Sequence, residues 1–123
     1  MISDVLKIIN DEFNKLGIEY YFMVNTNPNV KYPYFTGEYD ENTYTYSNDM
    51  YEGTLLLEGW HRGAYSELIE LTNTIIDHFK GLELTYDDLC ICFSYGSHSY
   101  VRTDDIDLKK VMIYLKVVYW KGH

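Results

Sequence analysis

The sequence is poor in the residues that build linkers. Its 123 residues include only two prolines and eight glycines, and no Gly/Ser-rich tract or run of one charge divides the chain. Flexible tethers and disordered segments depend on such tracts. A chain of this length has room for one hydrophobic core but not for two ordinary domains. We therefore expect one folded domain over residues 1–123.

Long apolar runs are also missing. No segment approaches the roughly 20 apolar residues that span a bilayer, and the first residues lack the basic stretch and apolar run of a signal peptide. This pattern predicts a soluble intracellular protein with no membrane partner. The two cysteines, Cys90 and Cys92, share one side of an extended run without disulfide geometry. We interpret them as small buried residues in a reducing compartment.

Positive charge is scarce. Nineteen acidic residues outnumber ten basic ones, and the net charge is −9. Gripping a phosphate backbone requires clustered Lys and Arg, so the composition argues against DNA binding of that kind. An acidic surface does suit the wall of a channel through which DNA slides without sticking.

Signatures of catalysis, metal binding and nucleotide binding are absent from the sequence. The histidines lack metal-ligand spacing, and no glycine-rich phosphate loop is present. Residues 95–99 place serines beside an imidazole without a nucleophile elbow or oxyanion hole, and residues 104–107 lack the glycine and final glutamate of a calcium loop. We therefore expect no enzymatic activity, no cofactor and no metal. The four histidines are His61, His78, His98 and His123.

Two segments have the apolar spacing of amphipathic helices. The first covers residues 3–16, with Ser3 as its expected N-cap and Gly17 as its stop. The second covers residues 65–80, with Ser66 as a possible N-cap and Gly81 as its stop. Small hydroxyl residues favour helix starts and glycine favours helix ends.

Five segments rich in β-branched and aromatic residues predict strands, namely residues 18–24, 31–39, 51–60, 89–95 and 111–120. Residues 96–99 are interpreted as a turn or loop. Short connections favour antiparallel pairing. The pattern predicts an α+β fold of the α/β sandwich type, with a mainly antiparallel sheet of four to five strands and two helices packed on one face. In residues 51–60, we expect Leu55 and Leu57 on one face of the sheet, and Thr54, Leu56, Glu58 and Trp60 on the other.

Tyrosine is unusually frequent, at 14 residues. Its ring offers apolar area and its hydroxyl offers a hydrogen bond, which suits protein contact surfaces. Both faces of the last predicted strand also carry large apolar groups. Two helices can cover only one face of the sheet, so we expect something else to cover the apolar groups on the other face. A protein interface is our interpretation, and tyrosines that merely close sheet edges are the alternative.

Residues 32–39 (Tyr-Pro-Tyr-Phe-Thr-Gly-Glu-Tyr), residues 52–63 (Glu-Gly-Thr-Leu-Leu-Leu-Glu-Gly-Trp-His-Arg-Gly) and the following helix resemble the tail terminator and tail completion proteins of long-tailed phages. The resemblance covers roughly residues 2–80. It implies a ring, hexameric in the family, that sits on the end of the tail tube, stops tube polymerisation and provides the head-joining surface. The implied partners are further copies of the chain, the tail tube protein and the head–tail connector, with DNA only as cargo. The implied location is the virion tail, reached from the host cytoplasm during assembly.

On this interpretation we assign two groups of site residues. Arg62 is expected to pair with a carboxylate, either in a neighbouring subunit or in its own chain. A head–tail connector or another tail component is the alternative within this class. An acidic DNA mimic that inhibits a host nuclease, or a ligand-binding protein with a polar pocket near His61 or His98, are alternatives from other classes. The expected interface residues are Tyr34, Glu38, Tyr39, Trp60 and Arg62, and the expected lumen-facing residues are Asp40, Glu41, Asp49 and Glu52.

Overall fold

A computed structural model describes residues 2–42 and 50–121. Its two helices and its strands confirm the α+β class, and neither described helix is long and apolar enough to cross a membrane. The sequence of residues 40–50 is polar and typical of turns, and residues 43–49 of this stretch lie outside the described residues. In chain order the elements are α1 (Ile2–Leu16), β1 (Tyr20–Phe22), β2 (Tyr34–Glu41), β3 (Met50–His61), α2 (Tyr65–Phe79), β4 (Glu83–Tyr86), β5 (Leu89–Val101) and β6 (Lys109–Lys121).

The strands form one six-stranded sheet in the order β1-β2-β3-β6-β5-β4. The expected count of four to five strands was therefore too low, and the sheet is mixed because β1 pairs with β2 in parallel. All other pairs are antiparallel. The pair is parallel because the long loop of residues 23–33 carries the chain back to the level where β1 begins, so β2 runs in the same direction as β1. A tight turn would have made the two strands antiparallel. β4 has only four residues, Glu-Leu-Thr-Tyr, and this is too short a stretch for its alternation to identify a strand.

The turn expected at residues 96–99 is also wrong, because β5 runs on to Val101. The register against β6 shifts between Tyr95 and Ser97, which leaves Gly96 as a bulge. A side chain at Gly96 would place its Cβ 2.9 Å from the carbonyl oxygen of Tyr114. Gly96 is therefore the extra residue of the bulge, since only glycine fits where the two backbones approach so closely, and the strand continues beyond it.

The helix ends agree with the glycine signals but not with the predicted N-caps. Gly17 and Gly81 have φ values of +71° and +74°, the left-handed conformation that ends helices. α1 begins at Ile2, so Ser3 lies within it. α2 is preceded by Ala64 instead of Ser66. The N–H of Ala64 donates to the Glu67 carboxylate at 3.1 Å, which supplies half of a capping box without a hydroxyl cap.

The core lies between the helices and one face of the sheet. Phe13 of α1 lies 5.5 Å from Phe79 of α2, and Phe79 lies 5.1 Å from Phe93 of β5, measured between ring centroids. Both helices therefore pack on the same face. The face assignment of β3 is confirmed, because Leu55 and Leu57 are fully buried there. Other fully buried apolar residues are Val5, Ile9, Phe35, Leu68, Ile75, Ile91, Val111, Ile113, Val117 and Tyr119.

A buried carboxylate joins the two helices. Glu12 of α1 is only 2% exposed, and its oxygens accept hydrogen bonds from Lys15 at 2.7 Å and from His78 of α2 at 2.9 Å. Burial acts to raise the pKa of Glu12, but the hydrogen bonds from Lys15 and His78 outweigh it and hold the pKa below its usual value. The charged form of Glu12 therefore stabilises the contact between α1 and α2.

Replacing this carboxylate should destabilise the fold. We expect Glu12→Gln to lower the free energy of unfolding near neutral pH by about 1–3 kcal/mol, because charge-assisted hydrogen bonds to a buried group are lost. Since folding lowers the pKa of Glu12, its contribution is complete above the unfolded-state pKa and disappears as pH falls through the folded-state pKa. Urea unfolding at a series of pH values should therefore show a smaller acid-side loss for the variant.

Asp11→Asn is the matched control. Asp11 is the adjacent acid on α1, but its side chain is 48% exposed and it pairs with the exposed Lys7, at 3.3 Å. We expect a change within about 0.5 kcal/mol, as for most surface substitutions. Equal effects of the two variants would contradict a stabilising role for the buried carboxylate.

Candidate interaction surface

The face of the sheet turned away from the helices is built from alternate residues of the central strands. Because paired residues in neighbouring strands share a face, the registers of β2, β3 and β6 define it. We call it the open face. Its central residues are Tyr34, Glu38 and Asp40 of β2, Glu52, Thr54, Leu56, Glu58 and Trp60 of β3, and Lys110, Met112, Tyr114, Lys116, Val118 and Trp120 of β6.

The middle of the open face is apolar. Leu56 stands opposite Tyr114 in the register, and Met112 and Val118 flank Tyr114 along β6. Tyr114 is 37% exposed, whereas the other three are half-buried by their neighbours within the sheet. Both helices lie on the other face, so they do not cover these side chains. Contiguous apolar surface of this kind is characteristic of sites that bind another protein.

One end of the open face carries an aromatic and ionic cluster. The ring of Trp60 stacks with Tyr34 at 6.4 Å between centroids. The Lys110 ammonium lies 4.5 Å from the Trp60 ring centroid and pairs with the Glu58 carboxylate at 2.6 Å. Lys110 and Glu58 are only about one-fifth exposed (20% and 21%), so the pair is shielded from water more than most surface pairs. This arrangement holds the Trp60 ring in place.

The other end of the open face is acidic. Asp40 stands opposite Thr54, and Glu52 stands opposite Val118, with Lys116 as the nearby basic side chain. Shallow depressions of about 250 Å³ and 460 Å³ adjoin this end, the second lined by Glu38, Asp40, Leu56 and Tyr114 among others. The structure therefore brings together the expected lumen residues Asp40 and Glu52 and the expected interface residue Glu38. Asp49 lies outside the described residues.

Two of the predicted site residues lie on the helix-covered face instead. The Tyr39 hydroxyl donates to Glu41 at 3.2 Å, and the buried Tyr119 hydroxyl donates to the same carboxylate oxygen at 2.5 Å. The Tyr39 ring packs directly over Gly53, where any side chain would collide with it. Burial, with the Glu41 charge beside it, raises the pKa of both tyrosine hydroxyls. Tyr39 and Glu41 thus close the margin of the core with their side chains.

Arg62 has a carboxylate partner within its own chain. Its guanidinium donates to Asp105 at 2.8 Å and lies 5.5 Å from the Tyr32 ring centroid. The hydrogen bond from Arg62 lowers the pKa of Asp105. Arg62 thus has an intrachain carboxylate partner, and the pair ties the end of β3 to the loop that precedes β6.

The remaining candidates for chemistry have structural partners. His61 is 8% exposed and its Nε2 lies 3.0 Å from Glu67, while Nδ1 of His98 lies 2.6 Å from the Tyr95 hydroxyl. Cys90 and Cys92 are free and half-buried on the open face, which is less burial than we expected. Burial raises the pKa of Cys92. Within residues 2–42 and 50–121, no three His, Cys, Asp or Glu side chains are grouped to hold a metal ion.

The second half of β5 was missed as a candidate surface. Tyr95 and Tyr100 there are each 38% exposed, and His98 lies between them at centroid distances of 5.8 Å and 5.7 Å. The glycine and serines of residues 96–99 are typical of turns, which concealed the strand. The alternation of serine with His98 and Tyr100 is the signal that would have found it.

The shielding of Glu58 and Lys110 predicts measurable coupling. A double-mutant cycle with Glu58→Ala and Lys110→Ala should give a coupling free energy of about 1 kcal/mol from urea unfolding, because little water screens the pair. The same cycle on Arg62 and Asp105, each 45% exposed, is the control and should give a smaller value. A larger coupling for the exposed pair would contradict this account of the Trp60 cluster.

Comparison with known proteins gives a likeness of fold. No protein-family model matches the chain, and no curated protein matches it. A chain of the solved structure described as "Virion of native gene transfer agent (GTA) particle" is similar to it, with a TM-score of 0.69 and 11% sequence identity. The similarity covers 90% of this chain and 84% of that chain. This protein therefore shares its fold with a component of a virion particle.

Proposed function

We propose that this chain is a structural component of a phage-like particle. The observation that carries the proposal is the open face, where neither described helix covers the apolar centre with Tyr114, Leu56 and Met112. A surface of this kind is stabilised by contact with another protein. The fold shared with a chain of a gene transfer agent virion supports the same class of function. The proposed location is the virion, and the proposed mode of action is assembly without catalysis.

Within that class we propose a tail terminator. Copies of the chain form a ring on the end of the tail tube, present one surface to the tube protein, and offer no site for a further tube subunit. Growth then stops by occlusion, and the exposed side of the ring receives the head–tail connector. The acidic end of the open face, with Asp40 and Glu52, suits a passage for DNA because like charges keep the DNA from adhering.

The direct test is tube growth in the presence of the chain. Purified tail tube protein from the same source is allowed to polymerise with increasing amounts of this protein, and tube lengths are measured by electron microscopy. We expect tubes to shorten as the protein is added, with density at one end. Unchanged lengths and bare ends would overturn the terminator proposal. Binding to a head–tail connector without any effect on tubes would favour the connector alternative.

A charge placed in the apolar centre should abolish this activity. Tyr114→Asp adds a carboxylate to the middle of the open face, and burying it under a partner without a counter-charge costs several kcal/mol. We expect the variant to fold but to leave tube length unchanged. Ile69→Asp is the matched control, because Ile69 on α2 has a similar exposure of 40% and lies outside the sheet.

Both variants should first be compared by thermal unfolding, since the comparison requires folded proteins. If Tyr114→Asp shortens tubes as well as Ile69→Asp does, the open face is not the surface that binds the tube. If only Ile69→Asp loses activity, the helix side of the domain is the binding surface instead.

A further inference from the structure

β5 extends beyond the strand that covers its outer side. β4 pairs only with the first four residues of β5, Leu89 to Cys92. Phe93 makes the last outward contacts, since its N–H donates to Leu82 at 2.8 Å and its carbonyl accepts from Gly81 at 3.2 Å. No described strand lies beside the outer side of residues 94–101. We call this segment the β5 free edge.

The backbone of the β5 free edge is directed outward at regular positions. Successive residues of a strand turn their N–H and C=O groups to opposite neighbours, so Tyr95 follows Phe93 in pointing away from β6. Beyond the bulge, His98 and Tyr100 continue the same alternation, opposite Ile113 and Val111. The segment therefore presents a row of backbone donors and acceptors to solvent.

The β5 free edge lacks the usual protection of exposed strands. Natural edges are kept from pairing by charged side chains, by proline or by being very short. Residues 94–101, Ser-Tyr-Gly-Ser-His-Ser-Tyr-Val, contain no Lys, Arg, Asp, Glu or Pro. The Gly96 bulge is the one interruption, and five residues of strand follow it. Such an edge is a template for a further strand.

The opposite side of the sheet has a second free edge. β1 covers β2 only from Phe35 to Gly37, and the last contact is the Met23 N–H, which donates to Gly37 at 2.8 Å. By the same alternation, the backbone groups of Tyr39 and Glu41 point outward without a described neighbour. We call residues 38–41 the β2 free edge. Its sequence, Glu-Tyr-Asp-Glu, is acidic.

The charges decide how these edges combine. Two β2 free edges would bring acids together, and like charges opposite each other destabilise a strand pair. The β5 free edge carries no acid and is followed by the exposed Arg102. Three successive antiparallel pairs lead from β2 to β5, so β2 and β5 run in opposite directions. Two copies in the same orientation can therefore join β5 of one to β2 of the other as antiparallel strands.

We propose that the β5 free edge of one copy pairs with the β2 free edge of a second copy. The contact is head-to-tail, so an open chain of copies keeps one unpaired edge at each of its two ends until it closes into a ring. This inference rests on the proposed ring and names the subunit contact within it. It assigns the outward backbone groups of Tyr39 and Glu41 to the subunit contact.

The test removes outward N–H groups one edge at a time. His98→Pro acts on the β5 free edge and Glu41→Pro on the β2 free edge, and each leaves the hydrogen bonds to the inner neighbour in place. His98→Ala and Glu41→Ala are the matched controls, because they lose the same side chains but keep the N–H. Native mass is measured by light scattering at rising protein concentration, and circular dichroism checks the fold.

We expect the wild type and both alanine variants to assemble beyond a dimer, and each proline variant to stay monomeric. A mixture of His98→Pro and Glu41→Pro should give a species of twice the monomer mass, because each variant supplies the edge that the other lacks. If His98→Pro does not fold, Tyr100→Pro removes the next outward N–H and takes its place.

Three outcomes would overturn the proposal. They are a wild type that remains monomeric at the highest concentration, proline variants that assemble like the wild type, and a Glu41→Pro variant that dimerises alone through paired β5 edges. Tube length is a separate readout. If His98→Pro shortens tubes as the wild type does, the edge pairing is rejected and the terminator proposal stands. If the wild type assembles head-to-tail but has no effect on tubes, the terminator proposal is rejected and the edge pairing stands.

Discussion

β3 and β6 pair along their whole length, from Met50 opposite Trp120 to His61 opposite Lys109. This register puts Leu55 with Leu115 and Leu57 with Ile113 against the helices, and it puts Leu56 with Tyr114 on the open face. A shift of one strand by one residue would exchange the two faces of that strand and turn its buried residues toward the open face. The hydrophobic core, the apolar centre and the acidic end all depend on this one pairing.

The helices act on the sheet from one side only. They cover the β3 and β6 face through Phe13, Phe79 and their neighbours, and Glu12 holds them to each other through His78. At the two margins of the sheet, the short strands β1 and β4 leave parts of β2 and β5 without a described outer neighbour. The open face therefore results from helices that pack on one side only, whereas the two free edges result from outer strands that are shorter than their neighbours.

The sequence predicts the long elements well because their patterns are strong. The alternation in residues 51–60 and 111–120 and the stripes of both helices are repeated over many residues, so single exceptions do not obscure them. The failures are local. Gly96 made a continuous strand resemble a turn, and β4 is only four residues long, too short for its alternation to stand out. The parallel pairing of β1 depends on a loop path that no local pattern encodes.

The candidate site could be predicted in part for the same reason. Trp60, Tyr34 and Glu38 lie on the open face, which follows from their positions in strands of known period. Tyr39 and Glu41 occupy the alternate positions of the same strand, so they face the helices. No sequence pattern indicates that the hydroxyls of Tyr39 and the buried Tyr119 both donate to Glu41. In a ring joined through unequal edges, the last copy to bind forms two subunit contacts but loses the translational and rotational entropy of only one molecule. Open arcs would then be scarce relative to monomers and closed rings, so the number of copies in the ring would be fixed by closure and not by the strength of any single contact.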